Sequence, residues 1–171
     1  MERHSKERVP DISIYTDGSL KQVGAKLTFG GWAFLVIKDD KCVYGSSGGE
    51  NNTTNQRMEL LAVIEALKYA AAKRRPHERV TIYSDSAYFV NCYNQDWYIK
   101  WQANGWQNAN RKPVANADLW QQIIPYFDNF WYSFKKVPAH SGLFWNEYCD
   151  KLAQEHADKM KRDWRGTNND R

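Results

Sequence analysis

Four acidic residues stand where predicted strands end or predicted helices begin. Asp17 follows the alternating run at residues 12–16, which is typical of a strand with one buried face, and Asp85 ends a second such run. Glu59 opens an apolar helical pattern, and Asp150 lies in the first turns of a later one. In a sheet packed against helices, such positions can meet at one edge, so the four carboxylates are candidates for a common site.

Carboxylates brought together would repel one another strongly. Hard divalent cations with oxygen ligands relieve that repulsion, and Mg²⁺ is the best fit where phosphates are also bound. Taken alone, Asp17-Gly18 is a standard turn signal and would need no further explanation. The prediction of a Mg²⁺ site, with Mn²⁺ as an alternative ion, therefore rests on the four acids taken together.

Length and composition favour one globular domain. The chain has 171 residues, of which 42% are apolar and 15% aromatic. It has no run of 18 apolar residues and no apolar segment behind the charged first residues, so neither a membrane span nor a secretion signal is expected. The three cysteines form no Cys-x-x-Cys pair, so no zinc site and no disulfide partner are expected. A cytoplasmic monomer fits these features, and the net charge of +4 is weak evidence for a nucleic-acid partner.

The first half of the chain predicts a mixed sheet. Strands at residues 12–16, 32–37 and 42–48 suggest an antiparallel meander, with a turn at residues 18–19, a loop at residues 20–29 and a polar loop at residues 49–54. A helix at residues 56–73, capped by Thr54 or Asn55, precedes a strand at residues 79–85 and a short helix at residues 86–95. This alternation of strand and helix implies parallel pairings beside the meander.

The second half begins with an aromatic and basic region at residues 96–117. A helix at residues 118–128 follows, which Pro125 should kink or end early. The last strand is predicted at residues 131–137 and the closing helix at residues 145–162. Residues 11–162 are thus expected to form one domain, with a flexible tail at residues 1–10 and a frayed end at residues 163–171.

Five short motifs resemble type 1 ribonuclease H of the bacterial kind. They are Thr16–Ser19, Thr53–Leu60, Ser84–Ser86, Val137–Gly142 and Asn146–Asp150. The stretch Lys112–Trp120 is similar to the segment behind the protruding "handle" of that family, which places the handle at about residues 96–117. Each motif is weak alone, but five in register from about residue 11 to residue 160 are highly specific.

The resemblance implies a fold and an activity. The fold would be α/β, with a ribonuclease H-like mixed five-stranded sheet flanked by helices. The activity would be endonucleolytic hydrolysis of the RNA strand of an RNA–DNA hybrid. The family's four metal-binding carboxylates map onto Asp17, Glu59, Asp85 and Asp150, and its mobile histidine maps onto His140.

Two metal ions about 4 Å apart would serve this hydrolysis. One lowers the pKa of the attacking water and the other stabilises the departing 3′-oxygen, which leaves 5′-phosphate and 3′-hydroxyl ends. We expect Asp17 to bridge the ions, Asp85 and Asp150 to hold the ion on the nucleophile side, and Glu59 to hold the other. His140 would shuttle a proton or help release product, the alternative being a surface histidine with no role.

Substrate contacts are expected on two segments. Short polar side chains before the first helix can reach the 2′-hydroxyls in the wide minor groove of a hybrid, with helix capping as their alternative role. Cations of the handle would meet the DNA backbone, while its tryptophans pack on the core. The candidates are Thr54, Asn55, Gln56 and Arg57 before the helix, Lys100, Arg111 and Lys112 in the handle, and Asn146 in the last motif.

Two other classes of protein are alternatives to this interpretation. A DNA-directed nuclease of similar fold would share the acids but not the handle or the Thr-Thr-Asn-Gln-Arg segment. A related alternative is the ribonuclease H portion of a reverse transcriptase, cut from a longer chain. The charged start at Met1 favours a free-standing protein instead. A non-catalytic hybrid-binding module would be expected to have lost a carboxylate. The chain departs from the family pattern after Ser19, at Gln56 and at Ala87, and its handle carries fewer cations than those of well-known bacterial members.

Overall fold

The computed structural model describes residues 11–137 and 143–169. Its centre is a five-stranded sheet in the order β3-β2-β1-β4-β5. β1 pairs antiparallel with β2, and β2 with β3, whereas β1–β4 and β4–β5 are parallel pairs. The predicted α/β class, with a meander joined to parallel strands, is confirmed. The strands are β1 (Ile12–Val23), β2 (Leu27–Lys38), β3 (Lys41–Asn51), β4 (Val80–Ser84) and β5 (Tyr132–Lys136).

Helices cover both faces of the sheet. Because side chains alternate along a strand, Ile14 faces the core under α1 (Asn55–Lys73), while Tyr15 faces the smaller core under α5 (Leu143–Asn169). A 3₁₀ turn at Ile124–Tyr126 replaces the end of the predicted helix 118–128, as Pro125 indicated. The helices are α1 (Asn55–Lys73), α2 (Ala87–Asn94), α3 (Trp97–Ala103), α4 (Ala117–Ile123) and α5 (Leu143–Asn169).

The first hairpin is longer than the sequence predicted. β1 does not end at Asp17 but stays paired with β2 as far as Val23 opposite Leu27, so the predicted turn at residues 18–19 and loop at residues 20–29 are wrong. Gly24, at φ +63°, lies in the turn that joins the two strands. Since β2 supplies the backbone partners, this polar segment forms a strand despite its weak apolar pattern. β3 likewise continues through residues 49–51, which were predicted as loop.

The closing helix is also longer than predicted. α5 continues through Asn169, so the predicted end at residue 162 is wrong. Trp164 packs on Phe29 of β2 with ring centroids 5.7 Å apart, a tertiary contact that the polar local sequence does not reveal. Within residues 11–137 and 143–169, no helix is long and apolar enough to cross a membrane.

Residues 96–117, the predicted handle, contain α3 and an irregular segment closed by an isolated bridge between Gln107 and Pro113; the whole stretch is called the handle below. Its three tryptophans are partly buried against the main core, which confirms their expected packing; they are Trp97, Trp101 and Trp106.

Candidate active site

Three of the four predicted acids meet at one edge of the sheet. Oxygen atoms of Asp17, Glu59 and Asp85 all lie within 4.8 Å of one another. The parallel pairing of β1 with β4 ends at Thr16 opposite Ser84, so Asp17 and Asp85 are the next residues along two neighbouring strands. The two carboxylates therefore come together even though β1 itself continues past Asp17.

A close backbone approach at Gly18 brings Glu59 to this edge. A Cβ atom at Gly18 would lie 2.5 Å from the Glu59 nitrogen and 2.8 Å from the Met58 carbonyl carbon, so only glycine leaves room for α1 there. Thr54 fixes the start of α1, because its hydroxyl accepts a hydrogen bond of 3.2 Å from the Arg57 N–H. Glu59 thus points from the second turn of a helix pressed against β1.

A second close approach positions Asp150 on the opposite face. A Cβ atom at Gly31 of β2 would collide with the Ala153 carbonyl of α5. The Cys149 thiol lies buried under α5, 3.3 Å from the Ala33 carbonyl oxygen. Asp150, the next residue, acts on Asp17 by raising its pKa. It lies outside the 4.8 Å group, and its Oδ2 accepts a 2.6 Å hydrogen bond from Gln154.

Two of the three clustered acids are buried, Asp85 is exposed, and the cluster is electrostatically strained. Asp17 is 4% exposed and Glu59 5%. Burial, and then the charge of Asp85, raises the pKa of Asp17, and burial followed by the charge of Asp17 raises the pKa of Glu59. Among the described residues, Glu59 Oε2 has no hydrogen-bond partner. A buried carboxylate oxygen without a partner, in a set of oxygen ligands only, fits a hard divalent cation.

This strain predicts that Glu59→Gln stabilises the metal-free protein. Because the folded state holds the proton of Glu59 more tightly than the unfolded chain does, the free energy of unfolding falls as the pH rises above about 4. At pH 7 the unfolded chain ionises this acid whereas the folded state keeps it protonated, which costs stability. The neutral amide removes that cost, so urea unfolding in EDTA at pH 7 should show a gain of about 1–3 kcal/mol and a weaker pH dependence.

The matched control is Glu65→Gln, on the same helix, where the carboxylate pairs with Lys68 in a partly solvated position. It should change the stability of the metal-free protein little. A Glu59→Gln protein less stable than the unmodified chain would contradict this prediction, because it would show that the Glu59 carboxylate makes favourable interactions in the metal-free protein.

Asn146 lies beside the acids. Its Nδ2 is 3.4 Å from Asp85 Oδ2, a long contact, and its Oδ1 is buried with no partner among the described residues. The amide is therefore placed to orient Asp85 and still has an acceptor available. The sequence marked Asn146 only through a motif, and no local pattern indicates its contact with Asp85.

The other predicted contact residues divide into exposed and paired groups. Thr54 caps α1, while Asn55 and Gln56 are exposed at its start. The Arg57 guanidinium is already occupied: it meets Asp118 through two hydrogen bonds of 3.0 and 3.2 Å and Glu50 through one of 3.0 Å. The handle cations Lys100, Arg111 and Lys112 are exposed, and His140 lies outside the described residues.

Comparisons with known proteins agree with this geometry. The family model RNase H matches residues 10–158. A ribonuclease H of Syntrophomonas wolfei is 44% identical over 84% of this chain and 94% of its own length. One of Caldicellulosiruptor saccharolyticus is 41% identical over 88% and 99%. A crystal structure described as a type 1 RNase H with the type 2 active-site motif has 28% identity and a TM-score of 0.72, covering 88% of this chain and 74% of the other.

Proposed function

The chain belongs to the bacterial-type ribonuclease H family and is a nuclease, and we propose that it cleaves the RNA strand of RNA–DNA hybrids by two-metal-ion catalysis. The products would be 5′-phosphate and 3′-hydroxyl ends. The observation that carries this proposal is that oxygen atoms of Asp17, Glu59 and Asp85 lie within 4.8 Å of one another, and that the buried Glu59 Oε2 has no hydrogen-bond partner within the described part of the chain. The monomeric state and the cytoplasmic location remain predictions.

Each acid has a proposed role. When bound, two Mg²⁺ ions would lower the pKa of the attacking water and offset charge on the leaving 3′-oxygen. Asp17 would bridge them because it lies on the central strand β1, with its carboxylate close to those of Glu59 and Asp85. Asp85 and Asp150 would hold the ion on the nucleophile side, and Glu59 the other. Asn146 would keep Asp85 oriented, and His140 would move a proton or assist product release.

Substrate recognition is proposed for two segments, the start of α1 and the handle. Asn55 and Gln56, with the capping Thr54, would face the 2′-hydroxyls in the minor groove. The exposed handle cations would contact the DNA backbone, and the affinity should fall as salt rises.

Three matched substrates test the proposal. With Mg²⁺, only the RNA strand of the hybrid should be cut, and neither a DNA duplex nor an RNA duplex of the same sequence should be cleaved. EDTA should stop the reaction, and end analysis should find 5′-phosphates. Cleavage of the DNA duplex would instead favour a DNA-directed nuclease, and cleavage that survives EDTA would contradict the metal mechanism.

The ion pairs of Arg57 support a positioning role rather than a direct substrate contact. The bidentate pair joins the start of α1 to Asp118 of α4, directly after the handle, and Glu50 ties the same guanidinium to β3. Arg57 would thus hold the minor-groove segment and the handle at a fixed distance from each other. Loss of this clamp should weaken substrate binding without removing any group from the acid cluster.

We therefore expect Arg57→Gln and Asp118→Asn to raise the KM for hybrid by about two- to fivefold each, with a smaller change in kcat. The double variant should be no worse than either single one, because both remove the same interaction. Lys68→Gln, which breaks another ion pair on α1, is the control. If Arg57 touches the substrate directly, Arg57→Gln will cost far more than Asp118→Asn.

A further inference from the structure

The end of the sheet opposite the acid cluster carries an unusual surface. Arg79 directly precedes β4 and Trp131 precedes β5, and the Val80 N–H donates a 2.8 Å hydrogen bond to the Trp131 carbonyl. Asp85 follows β4 at the other end. Six residue steps of about 3.3 Å each separate Arg79 from Asp85, which places this surface about 20 Å from the acids.

Aromatic rings and cations alternate on it. Phe130 is 73% exposed, and the Arg79 guanidinium carbon lies 5.4 Å from the centre of its ring. The Arg74 guanidinium lies 5.2 Å from Trp131, whose ring also meets His77 edge-on at 5.7 Å. These five residues are called the distal surface below.

The nearest buried acid does not cancel the positive charge. Glu78 is 1% exposed and turned inward: it accepts hydrogen bonds of 2.9 Å from Lys38 and 2.6 Å from the Arg75 N–H. Burial would raise the pKa of Glu78, but these hydrogen bonds outweigh it and the pKa is lowered, so the carboxylate stays charged and paired with Lys38. Lys73 at the end of α1 and Arg75 just after it add cations, and Asp128 is the acid in the loop before Phe130.

We propose that the distal surface binds single-stranded nucleic acid. Unpaired bases present π-faces that stack on aromatic side chains, and guanidinium groups beside the rings can meet the phosphates. Bases within a duplex are stacked on one another and cannot use these rings. A protein partner would be expected to cover a contiguous apolar patch, whereas here each ring is covered in part by a cation.

This binding goes beyond hybrid cleavage and does not need the acid cluster. A strand that continues out of a hybrid as a single strand would keep the nuclease close to its substrate. The distal surface and the cluster lie at opposite ends of β4, so both can be occupied at once.

The test is the binding of a fluorescent 20-nucleotide oligo(dT), followed by anisotropy in EDTA. The unmodified chain should bind the oligonucleotide, and excess blunt RNA–DNA hybrid should not displace it. Phe130→Ser and Arg79→Gln should each weaken binding about five- to tenfold, whereas Lys100→Gln in the handle should not. Both distal variants should cleave blunt hybrid in Mg²⁺ at the unmodified rate, and their melting temperatures should match that of the unmodified chain.

Two results would overturn the proposal: unchanged oligonucleotide binding by both distal variants, or displacement of the oligonucleotide by blunt hybrid. If Arg79→Gln melts early, Arg79→Lys keeps the positive charge with less disturbance, and it should retain most of the affinity. Failure of the unmodified chain to cut hybrid would contradict the proposed function alone, since the anisotropy measurement requires no cleavage.

Discussion

Asp17→Asn is expected to lower the Mg²⁺-dependent cleavage of an RNA–DNA hybrid by at least about a thousandfold. Asp17 is the buried acid on the central strand, and burial together with its acidic neighbours raises its pKa. A bound divalent cation would offset that electrostatic strain. We therefore expect metal binding to depend most on the charge of the Asp17 carboxylate. The amide keeps the shape of the side chain and removes the charge.

Hybrid binding should survive Asp17→Asn, because the proposed contact residues lie on α1 and the handle. Cleavage is followed on a labelled RNA strand and binding by anisotropy, both in Mg²⁺. Asp163→Asn, an acid paired with Lys159 near the end of α5, is the matched control and should cleave normally. Unchanged cleavage by Asp17→Asn would refute the assignment, and equal loss of binding and cleavage would indicate damage to the fold.

The second large effect is expected for Gly18→Ala. A methyl group there would lie 2.5 Å from the Glu59 nitrogen and 2.8 Å from the Met58 carbonyl carbon, both backbone atoms that cannot rotate away. α1 must therefore shift, which should cost about 1–3 kcal/mol of stability and move Glu59 away from Asp17. We expect a drop in kcat of at least about tenfold, since misplacement of a catalytic group by 1 Å can cost a hundredfold.

Gly166→Ala is the control, because it lies in α5 with open space around it. Alanine there should leave cleavage unchanged and raise stability slightly, by about 0.5–1 kcal/mol. Urea unfolding and steady-state kinetics report the two quantities. A Gly18→Ala protein with normal stability and kcat would show that α1 does not depend on this contact to place Glu59.

The sequence predicted where the acids meet more accurately than it predicted the strand that carries one of them. Asp17 was taken as the end of β1, yet β1 continues to Val23. Three of the four acids still meet at the expected edge, because the parallel partner β4 ends at Ser84, beside Thr16. The polarity of the local sequence does not show how far β1 continues, because its backbone hydrogen bonds come from the pairing with β2.

Contacts between residues far apart in the sequence could not be predicted from local patterns. The residue type and position of Arg57 suggested a substrate contact. Its guanidinium instead donates a hydrogen bond to Asp118, which lies 61 residues away in the sequence. The contact of Asn146 with Asp85 spans the same separation. The Trp164–Phe29 contact on α5 is also long-range. Each depends on the packing of whole elements and leaves no local pattern.

Titration with Mn²⁺, followed by the electron paramagnetic resonance of the free ion, tests most directly whether these carboxylates form a metal site. The unmodified chain should bind Mn²⁺ without nucleic acid, and more tightly as the pH rises, because the ion displaces protons from acids whose pKa is raised. Asp17→Asn should weaken binding by at least about tenfold, and Glu65→Gln should not. Equal Mn²⁺ affinity in the unmodified chain and Asp17→Asn would contradict a metal site at this edge of the sheet.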